Sequence, residues 1–336
     1  MRFAELENDQ RRQLIDAQQL FSVWREAARE FRHSFKGSMH WRNKNGTDYL
    51  YRIYPHHETS LGPRSAETEQ VKETYTEQRT SLRQRVTKTK TRLEKMAVVN
   101  RAYRLGRMPL AAAKVLRELD EAGVLGTSAF VVGTHALFAY ECRAGVVFDG
   151  ALTATEDLDL LWDVRKKLTL AVVDGGNESV LGLLRRADKT YASKKASYQA
   201  SNDDGFMVDF IRPERRDEAY SIDPPLTEAD SMAAQSIAGL QWLVNAPRFE
   251  QTIIAEDGRP LWMSCVDPRV FALHKFWVSK RSDRARTKQQ RDAHQARAVA
   301  TLAAHYLQLD FRAKDLSALP LELTKAAKAL VAVTRS

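Results

Sequence analysis

Two aspartates at alternate positions are the sharpest chemical feature of the sequence. Asp157 and Asp159 lie in the segment TEDLDL, where Leu158 and Leu160 alternate with them. In a β-strand, alternate side chains share a face, so the two carboxylates project together while the leucines point into the core. Two adjacent negative charges repel each other, and a divalent cation is the usual compensation. The pattern indicates a magnesium site, although a solvated strand end has the same local spacing.

A third carboxylate, Asp209, lies among apolar residues in the strand-like segment FMVDFI. Burying a carboxylate is costly unless it faces a partner. A site shared with Asp157 and Asp159 would provide one, and an ion pair with Arg212 or Arg215 is the alternative. In the shared site, Asp209 would be a third metal ligand beside Asp157 and Asp159.

A glycine and a hydroxyl lie between a predicted strand and a predicted helix, upstream of the aspartates. In the segment FVVGTH, Gly133 and Thr134 follow an apolar run. Free backbone N–H groups at such a junction bind phosphate, and glycine allows the phosphate to approach closely. The pair is therefore a candidate phosphate site. His135 and His274 flank this region, and we interpret each as a structural histidine.

The order of these features resembles the nucleotidyltransferase fold of the DNA polymerase beta superfamily. That order is a strand-Gly133-Thr134-helix junction, then Thr155-x-Asp157-x-Asp159, then Asp209 in a later strand. More closely, the chain resembles a family of bacterial nucleotidyltransferase-fold proteins. It is also distantly similar to nucleotidyltransferase toxins of abortive-infection and toxin–antitoxin systems. The segments that carry the closer resemblance are residues 49–65, 107–140, 152–160 and 268–297.

The resemblance implies an Mg²⁺-dependent enzyme, with Mn²⁺ as an alternative metal, that transfers a nucleoside monophosphate from an NTP to a hydroxyl. Asp157 and Asp159 would bind two metal ions, and Asp209 would share one of them and help to activate the acceptor hydroxyl. Gly133 and Thr134 would hold the triphosphate. Two metals stabilise the attacking and leaving oxygens of such a displacement, which releases pyrophosphate. Many members of the superfamily have Gly-Ser or Gly-Gly where this chain has Gly-Thr.

A basic segment near the C-terminus resembles the helical segment that lies over the nucleotide in this superfamily. Residues 275–297 include eight basic residues and two acidic ones. We expect Lys275 to contact phosphate, with Lys288 and Arg291 as further nucleotide-binding candidates. The alternatives for this segment are acceptor binding and an ordinary basic surface.

The elements that must position these residues predict an α+β chain in three regions. Residues 1–106 are expected to form an N-terminal helical and hairpin arm. Residues 107–225 are expected to form the nucleotidyltransferase core, a mixed sheet flanked by helices. Residues 226–336 are expected to form a hairpin followed by a C-terminal helical region.

Local patterns predict several elements within these regions. The Tyr-rich segment at 47–54 and the turn residues after it predict a short hairpin, followed by a long helix from about 66 to 105. After the prolines at 224 and 225 we expect the chain to leave the sheet. A helix at 231–243 and a hairpin at 249–266, around the Asp-Gly turn, are expected to follow.

The positive charge of the chain favours a polyanionic partner, with solubility as the alternative explanation. Among its 336 residues are 52 Lys and Arg against 43 Asp and Glu, a net charge of +9. Ten of the basic residues lie between residues 79 and 107, against the single acid Glu94. A solvated helix face and a contact with nucleic acid explain this segment equally well. The basic clusters on both sides of the acidic residues make RNA, such as a tRNA end, the first choice of acceptor.

Two alternatives to nucleotide transfer onto RNA stay open at this point. One is a catalytically inactive protein of the same fold that binds nucleic acid or acts as a regulator, and the other is NMPylation of a protein. Three retained carboxylates favour catalysis, because an inactive protein has no evident need of a costly acidic cluster. The resemblance to toxins also implies a role in antiviral defence and an antitoxin partner.

Cysteine usage and hydropathy favour a cytoplasmic protein without membrane contact. Cys142 and Cys265 are far apart and form no CxxC pair, which argues against a disulfide framework and a cysteine zinc site. No apolar run approaches the roughly 18 residues of a membrane span. The N-terminal segment is charged where a signal peptide would be apolar.

Overall fold

A helical arm precedes a mixed β-sheet flanked by helices. The computed structural model describes residues 3–54, 57–163, 165, 179–194, 197–214, 226, 232–312, 314–317 and 319–334. Within these ranges the α+β class and the mixed sheet predicted from the sequence are confirmed. No described helix combines the length and the apolar character that a membrane span needs.

The arm, defined here as residues 3–105, contains two long helices connected by a small sheet. Its elements are β1 (Ala4–Glu5), α1 (Asn8–Ser34), β2 (Ser38–Lys44), β3 (Thr47–Ile53), β4 (Glu58–Pro63) and α2 (Ala66–Ala102). The two helices pack side by side through a narrow apolar seam that includes Leu20, Phe21 and Leu93. At the base of the arm, Leu14 and Leu105 pack against the hairpin that ends the main sheet. The long helix predicted from about residue 66 is confirmed.

The small sheet of the arm is antiparallel, in the order β2-β3-β4. Its β3–β4 hairpin confirms the predicted one, but strand β2 was missed. Asn45 and Gly46 join β2 to β3 with φ angles of 52° and 81°. These left-handed values are those of the tight Asn-Gly hairpin turn, so the dipeptide was a signal for the missing strand.

After the arm, the chain alternates helices and strands. The elements of the first part, which ends at residue 213, are α3 (Leu110–Glu121), β5 (Ala129–Val131), a 3₁₀ turn (Thr134–Ala136), α4 (Leu137–Ala144), β6 (Val146–Val147), α5 (Gly150–Thr153), β7 (Asp157–Trp162), α6 (Val180–Ala187), β8 (Ala192–Ser193), β9 (Gln199–Ser201) and β10 (Met207–Pro213). The remaining elements are β11 (Gln235–Ile237), α7 (Leu240–Asn245), β12 (Arg248–Ile254), β13 (Pro260–Val266), α8 (Pro268–Val278), α9 (Arg286–His305), a second 3₁₀ turn (Lys314–Leu316) and α10 (Leu321–Thr334).

The main sheet has the order β12-β13-β5-β7-β10-β9-β8. Strand β11 lies off this path and pairs with the C-terminal end of β10. Strands β7 and β10 are parallel, whereas β5 runs antiparallel to β7 and parallel to β13. Leu158 and Leu160 of β7 are fully buried, as their alternation predicts. The side chains between them therefore lie on the opposite face of this central strand.

Two expectations for the segment after residue 225 are wrong. The chain does not leave the sheet, because the predicted hairpin joins it through the pairing of Cys265 in β13 with Val131 in β5. The helix expected at 231–243 is replaced by strand β11 at residues 235–237, and a helix begins only at Leu240. Gly239, with φ of 85°, precedes that helix in a left-handed conformation. Strand pairing overrides the local helical pattern here, and the division into three regions stays a prediction.

Candidate active site

Three carboxylates converge on one face of two adjacent parallel strands. Asp157 and Asp159 alternate along β7, and the register of β10 places Asp209 directly beside Asp159. One carboxylate oxygen of each residue lies within 4.8 Å of the others. The parallel pairing of two strands distant in sequence therefore brings together the three aspartates that the sequence singled out.

The electrostatics of this cluster disfavour three full negative charges. Burial raises the pKa of Asp159 to about 7, and the neighbouring charge of Asp157 adds to the effect, while Lys275 opposes it. Burial also raises the pKa of Asp209, partly offset by a hydrogen bond from Gln199. A bound cation would remove this penalty by compensating the charges.

The carboxylates are oriented by nearby polar side chains. Gln199 of strand β9 donates from Nε2 to Oδ1 of Asp209 at 2.8 Å, and Thr155 donates its hydroxyl to Oδ1 of Asp157. Of the ion-pair partners considered for Asp209, Arg212 lies three residues farther along the strand and thus on its opposite face. Arg215 lies outside the described residues. Gln199 was missed from the sequence because only the antiparallel register of β9 and β10 places it there.

Gly133 directly contacts the carboxylate cluster. Its backbone has φ of 68° and ψ of −159°, a conformation essentially restricted to glycine. A β-carbon built at this position would lie 2.0 Å from Oδ2 of Asp159. The absence of a side chain is therefore what allows this turn to lie directly against the carboxylate of Asp159.

The hydroxyl of Thr134 fastens the same turn to helix α9. Thr134 is 7% exposed, and its Oγ1 accepts hydrogen bonds from Arg291 Nη2 at 3.3 Å and Gln295 Nε2 at 3.2 Å. Arg291 also donates to the carbonyl of Ala154, and Gln295 donates to that of Leu152 at 2.8 Å. The turn and the segment leading into β7 are thus held by one helix. Direct triphosphate binding by Thr134 and Arg291 stays a prediction.

A cavity of about 340 Å³ opens beside the carboxylates. Its lining includes Gly133, Asp159, Lys275, Arg284 and the aromatic ring of Trp277. This combination of acidic, basic and aromatic groups suits a nucleoside triphosphate, whose phosphates need cations and whose base needs an apolar surface. Lys275 thus lies at the site, as expected, although its nucleotide contact is untested.

Lys275 is held in place by a buried acid. Its Nζ lies 2.8 Å from Oδ1 of Asp292, and Nε of Arg284 lies 2.9 Å from the other oxygen. Asp292 is 2% exposed. One buried carboxylate therefore positions two cations on the cavity wall. Lys288, by contrast, is exposed on α9 and is not among the residues that line this cavity.

The two histidines near the site are neutral at pH 7. Burial lowers the pKa of His135 to about 4 and that of His274 to about 3. The ring of His135 packs between Phe138 and Phe206, at centroid distances of 6.0 Å. These environments support the interpretation of both residues as structural.

The donor set fits a hard divalent cation. All three candidate ligands are carboxylates, and oxygen ligands are those that Mg²⁺ and Mn²⁺ prefer. Burial and the charge of Asp157 raise the pKa of Asp159 to about 7, so a bound cation would help to keep all three carboxylates ionised. The residues present could therefore hold Mg²⁺, and nothing in their chemistry selects it over Mn²⁺.

A family comparison agrees with this geometry. The sequence model of a family described as nucleotidyltransferase matches residues 111–320, more than half of the chain. The match starts one residue into α3 and includes Gly133, the three aspartates and Lys275, whereas the arm lies before it. No significant match was found among curated proteins or among solved structures.

Proposed function

The chain belongs to this nucleotidyltransferase family, and we propose that it transfers a nucleoside monophosphate from an NTP to a hydroxyl acceptor. Mg²⁺ is the proposed metal, bound by Asp157, Asp159 and Asp209. The observation that carries the proposal is their convergence within 4.8 Å beside the Gly133 turn. The same arrangement supports placement in the DNA polymerase beta superfamily.

The proposed reaction is an in-line displacement at the α-phosphorus. The acceptor oxygen forms the new bond to phosphorus, the bond to the bridging oxygen breaks, and pyrophosphate leaves. Metal ions held by the aspartates would lower the pKa of the acceptor hydroxyl and neutralise the phosphates. Asp209, fixed through Oδ1 by Gln199, would accept the hydroxyl proton at Oδ2.

The cations of the cavity wall would bind the leaving group. Lys275 and Arg284 line the same cavity as Gly133, where they can neutralise the charge that develops on pyrophosphate. Their shared partner Asp292 fixes them before the nucleotide binds, which limits the entropic cost of ordering them. Lys288 and Arg291 would act as outer contacts of the nucleotide.

RNA is the proposed acceptor because exposed basic side chains flank the acidic site on both sides in the sequence. One group lies on α2, and the other, which includes Arg286, Lys288 and Arg297, lies on α9. A polyanionic acceptor would be attracted by both. Protein NMPylation and nucleic-acid binding without catalysis are the outcomes that would replace this proposal. A cytoplasmic location and a role as a toxin in antiviral defence, with an antitoxin as partner, rest on sequence features and resemblance alone.

The test is labelling of acceptors by each radiolabelled NTP. The full chain is incubated with total RNA and with total protein, with and without Mg²⁺, and pyrophosphate release is followed in parallel. We expect Mg²⁺-dependent labelling of RNA that is lost in Asp157→Ala and Asp159→Ala variants. Asp203→Ala, a change in an exposed turn, is the matched control. Full labelling by the two site variants would refute the metal assignment, and labelling of protein alone would replace RNA as the acceptor.

A further inference from the structure

Helix α2 carries a cationic surface that the transfer chemistry does not use. Eight basic residues between positions 83 and 104 are exposed: Arg83, Arg85, Lys88, Lys90, Arg92, Lys95, Arg101 and Arg104. The single acid of this segment, Glu94, lies 2.8 Å from Arg259 of the main sheet region. Its charge is therefore already compensated by a residue outside the helix.

The basic residues at the middle of α2 form no ion pair with any of the described residues. No ion pair involves the six cations between positions 83 and 95, and no ion pair joins α1 to α2 there. The apolar seam between the two helices is formed by other positions, such as Leu93 and Phe21. The interpretation of this segment as a surface neutralised by another part of the fold is therefore not supported.

The helix dipole does not explain these charges either. Cations stabilise a helix only within about its last turn, and α2 ends at Ala102. Lys88 and Arg92 lie well before that turn. They are four residues apart, and like charges at such spacings destabilise a helix. The protein thus maintains mutual repulsion along this face, which an anionic partner would relieve.

The cations form two rows separated by small polar side chains. With 3.6 residues per turn, the spacings 3, 4 and 3 place one row on one side of the helix: Arg85, Lys88, Arg92 and Lys95. Arg83 and Lys90, seven residues apart, lie on the other side. The exposed ridge between the rows consists of Thr80, Gln84, Thr87 and Thr91.

We propose that this face of α2 binds duplex RNA, with the two cationic rows on the two phosphate backbones and the polar ridge in the groove between them. The minor groove of A-form RNA is wide and shallow and presents 2′-hydroxyls. Threonine hydroxyls and the glutamine amide can donate to and accept from such groups. The hydroxyl of Thr91, which donates to the carbonyl of Thr87 at 3.1 Å, can still accept. From Thr80 to Lys95 the helix spans about 22 Å, enough for several phosphates on each strand. The inference rests on the proposed function, because it names the duplex stem of an RNA acceptor as the part that the arm holds.

The test compares two triple variants of the full chain that change the net charge equally. Lys88→Gln, Arg92→Gln and Lys95→Gln remove charges from the α2 face. Lys189→Gln, Lys314→Gln and Lys325→Gln remove three exposed charges elsewhere. Binding to RNA duplexes of about 16 base pairs, to DNA duplexes and to single-stranded RNA is measured by fluorescence anisotropy over a range of salt concentrations.

We expect the unmodified chain to bind the RNA duplex most tightly. The α2 variant should lose at least about tenfold in affinity at low salt, and its slope of log K against log salt should fall by about 2 to 3, while the control variant keeps both values. Equal loss in the two variants, or equally tight binding of single-stranded RNA or DNA, would overturn the proposal. Circular dichroism checks that both variants remain folded.

The two proposals fail in different ways. If the unmodified chain labels RNA and the α2 variant labels and binds it equally well, the duplex surface is wrong and the transferase stands. If the chain binds duplex RNA through α2 but transfers no nucleotide to any acceptor, the transferase proposal is wrong and the surface stands.

Discussion

Gly133 and Asp159 approach so closely that a β-carbon on the glycine would lie 2.0 Å from the carboxylate oxygen Oδ2. Because Val132 N also donates to the carbonyl of Asp159 at 3.0 Å, the turn is fastened to strand β7 by its backbone. The turn at Gly133 and the carboxylate of Asp159 are thus held together, and glycine is required by both space and conformation.

Replacing Gly133 by alanine should therefore damage the site more than an ordinary glycine substitution. The new methyl group must displace Asp159, and the backbone is strained by φ of 68°. We expect a loss of about 2 kcal/mol or more in the free energy of unfolding. The Mg²⁺ concentration that gives half-maximal activity should rise by at least about tenfold. Gly205→Ala is the matched control, since Gly205 has φ of 83° but no atom near its would-be β-carbon. Equal effects of the two substitutions in urea unfolding and Mg²⁺ titration would show that contact with Asp159 is unimportant.

The metal-free protein should lose stability as the pH rises towards 7. The pKa of Asp159 is raised to about 7 in the folded protein, from an ordinary value of 3.8. A carboxyl with a raised pKa binds its proton more tightly when folded, so its stabilising effect is complete below pH 4 and is lost as the pH passes through about 7.

Thermal melts in a chelator between pH 4.5 and 8 measure this effect. We expect Asp159→Asn to be about 1 to 4 kcal/mol more stable than the unmodified protein at pH 8, and Mg²⁺ to raise the melting temperature of the unmodified protein only. Asp203→Asn provides the same charge change in an exposed turn. A melting temperature of Asp159→Asn that follows the pH dependence of the unmodified protein would contradict the assignment.

The sequence predicted the carboxylates more completely than the groups that orient them. Asp157 and Asp159 were identifiable because a strand period of two is local, and Asp209 because a lone acid interrupts an apolar run. Gln199 and Asp292 had no such signal, since their roles depend on strand register and on the packing of α8 against α9. For the same reason, strand β11 was missed, because its pairing with β10 is not visible in a helical local pattern.

The hydroxyl of Thr134 should act mainly by holding α9. Thr134→Val keeps the shape but removes one of the two acceptors of Arg291 Nη2 and of Gln295 Nε2, which should cost about 1–3 kcal/mol of stability. Thr134→Ser should restore it. Urea unfolding and the KM for NTP are measured for both variants. A valine variant of unchanged stability that binds NTP poorly would instead show that the hydroxyl contacts the triphosphate directly.

Lys275 should affect both the nucleotide and the ionisation of Asp159. Its ammonium group lines the cavity and lowers the pKa of Asp159, opposing the effect of burial. In Lys275→Met we therefore expect the KM for NTP to rise by about tenfold or more, because a charge-assisted contact to phosphate is lost. The acid limb of the pH–rate profile should also move to higher pH, because the pKa of Asp159 rises when the cation is removed. Lys280→Met changes an exposed lysine just after the same helix and should change neither quantity.

A different result would assign Lys275 a structural role. If Lys275→Met lowers only the stability, because Asp292 then keeps Arg284 as its single ion-pair partner, and if KM and the pH profile of the folded protein are unchanged, then Lys275 is a structural partner of Asp292 and not a ligand of the nucleotide.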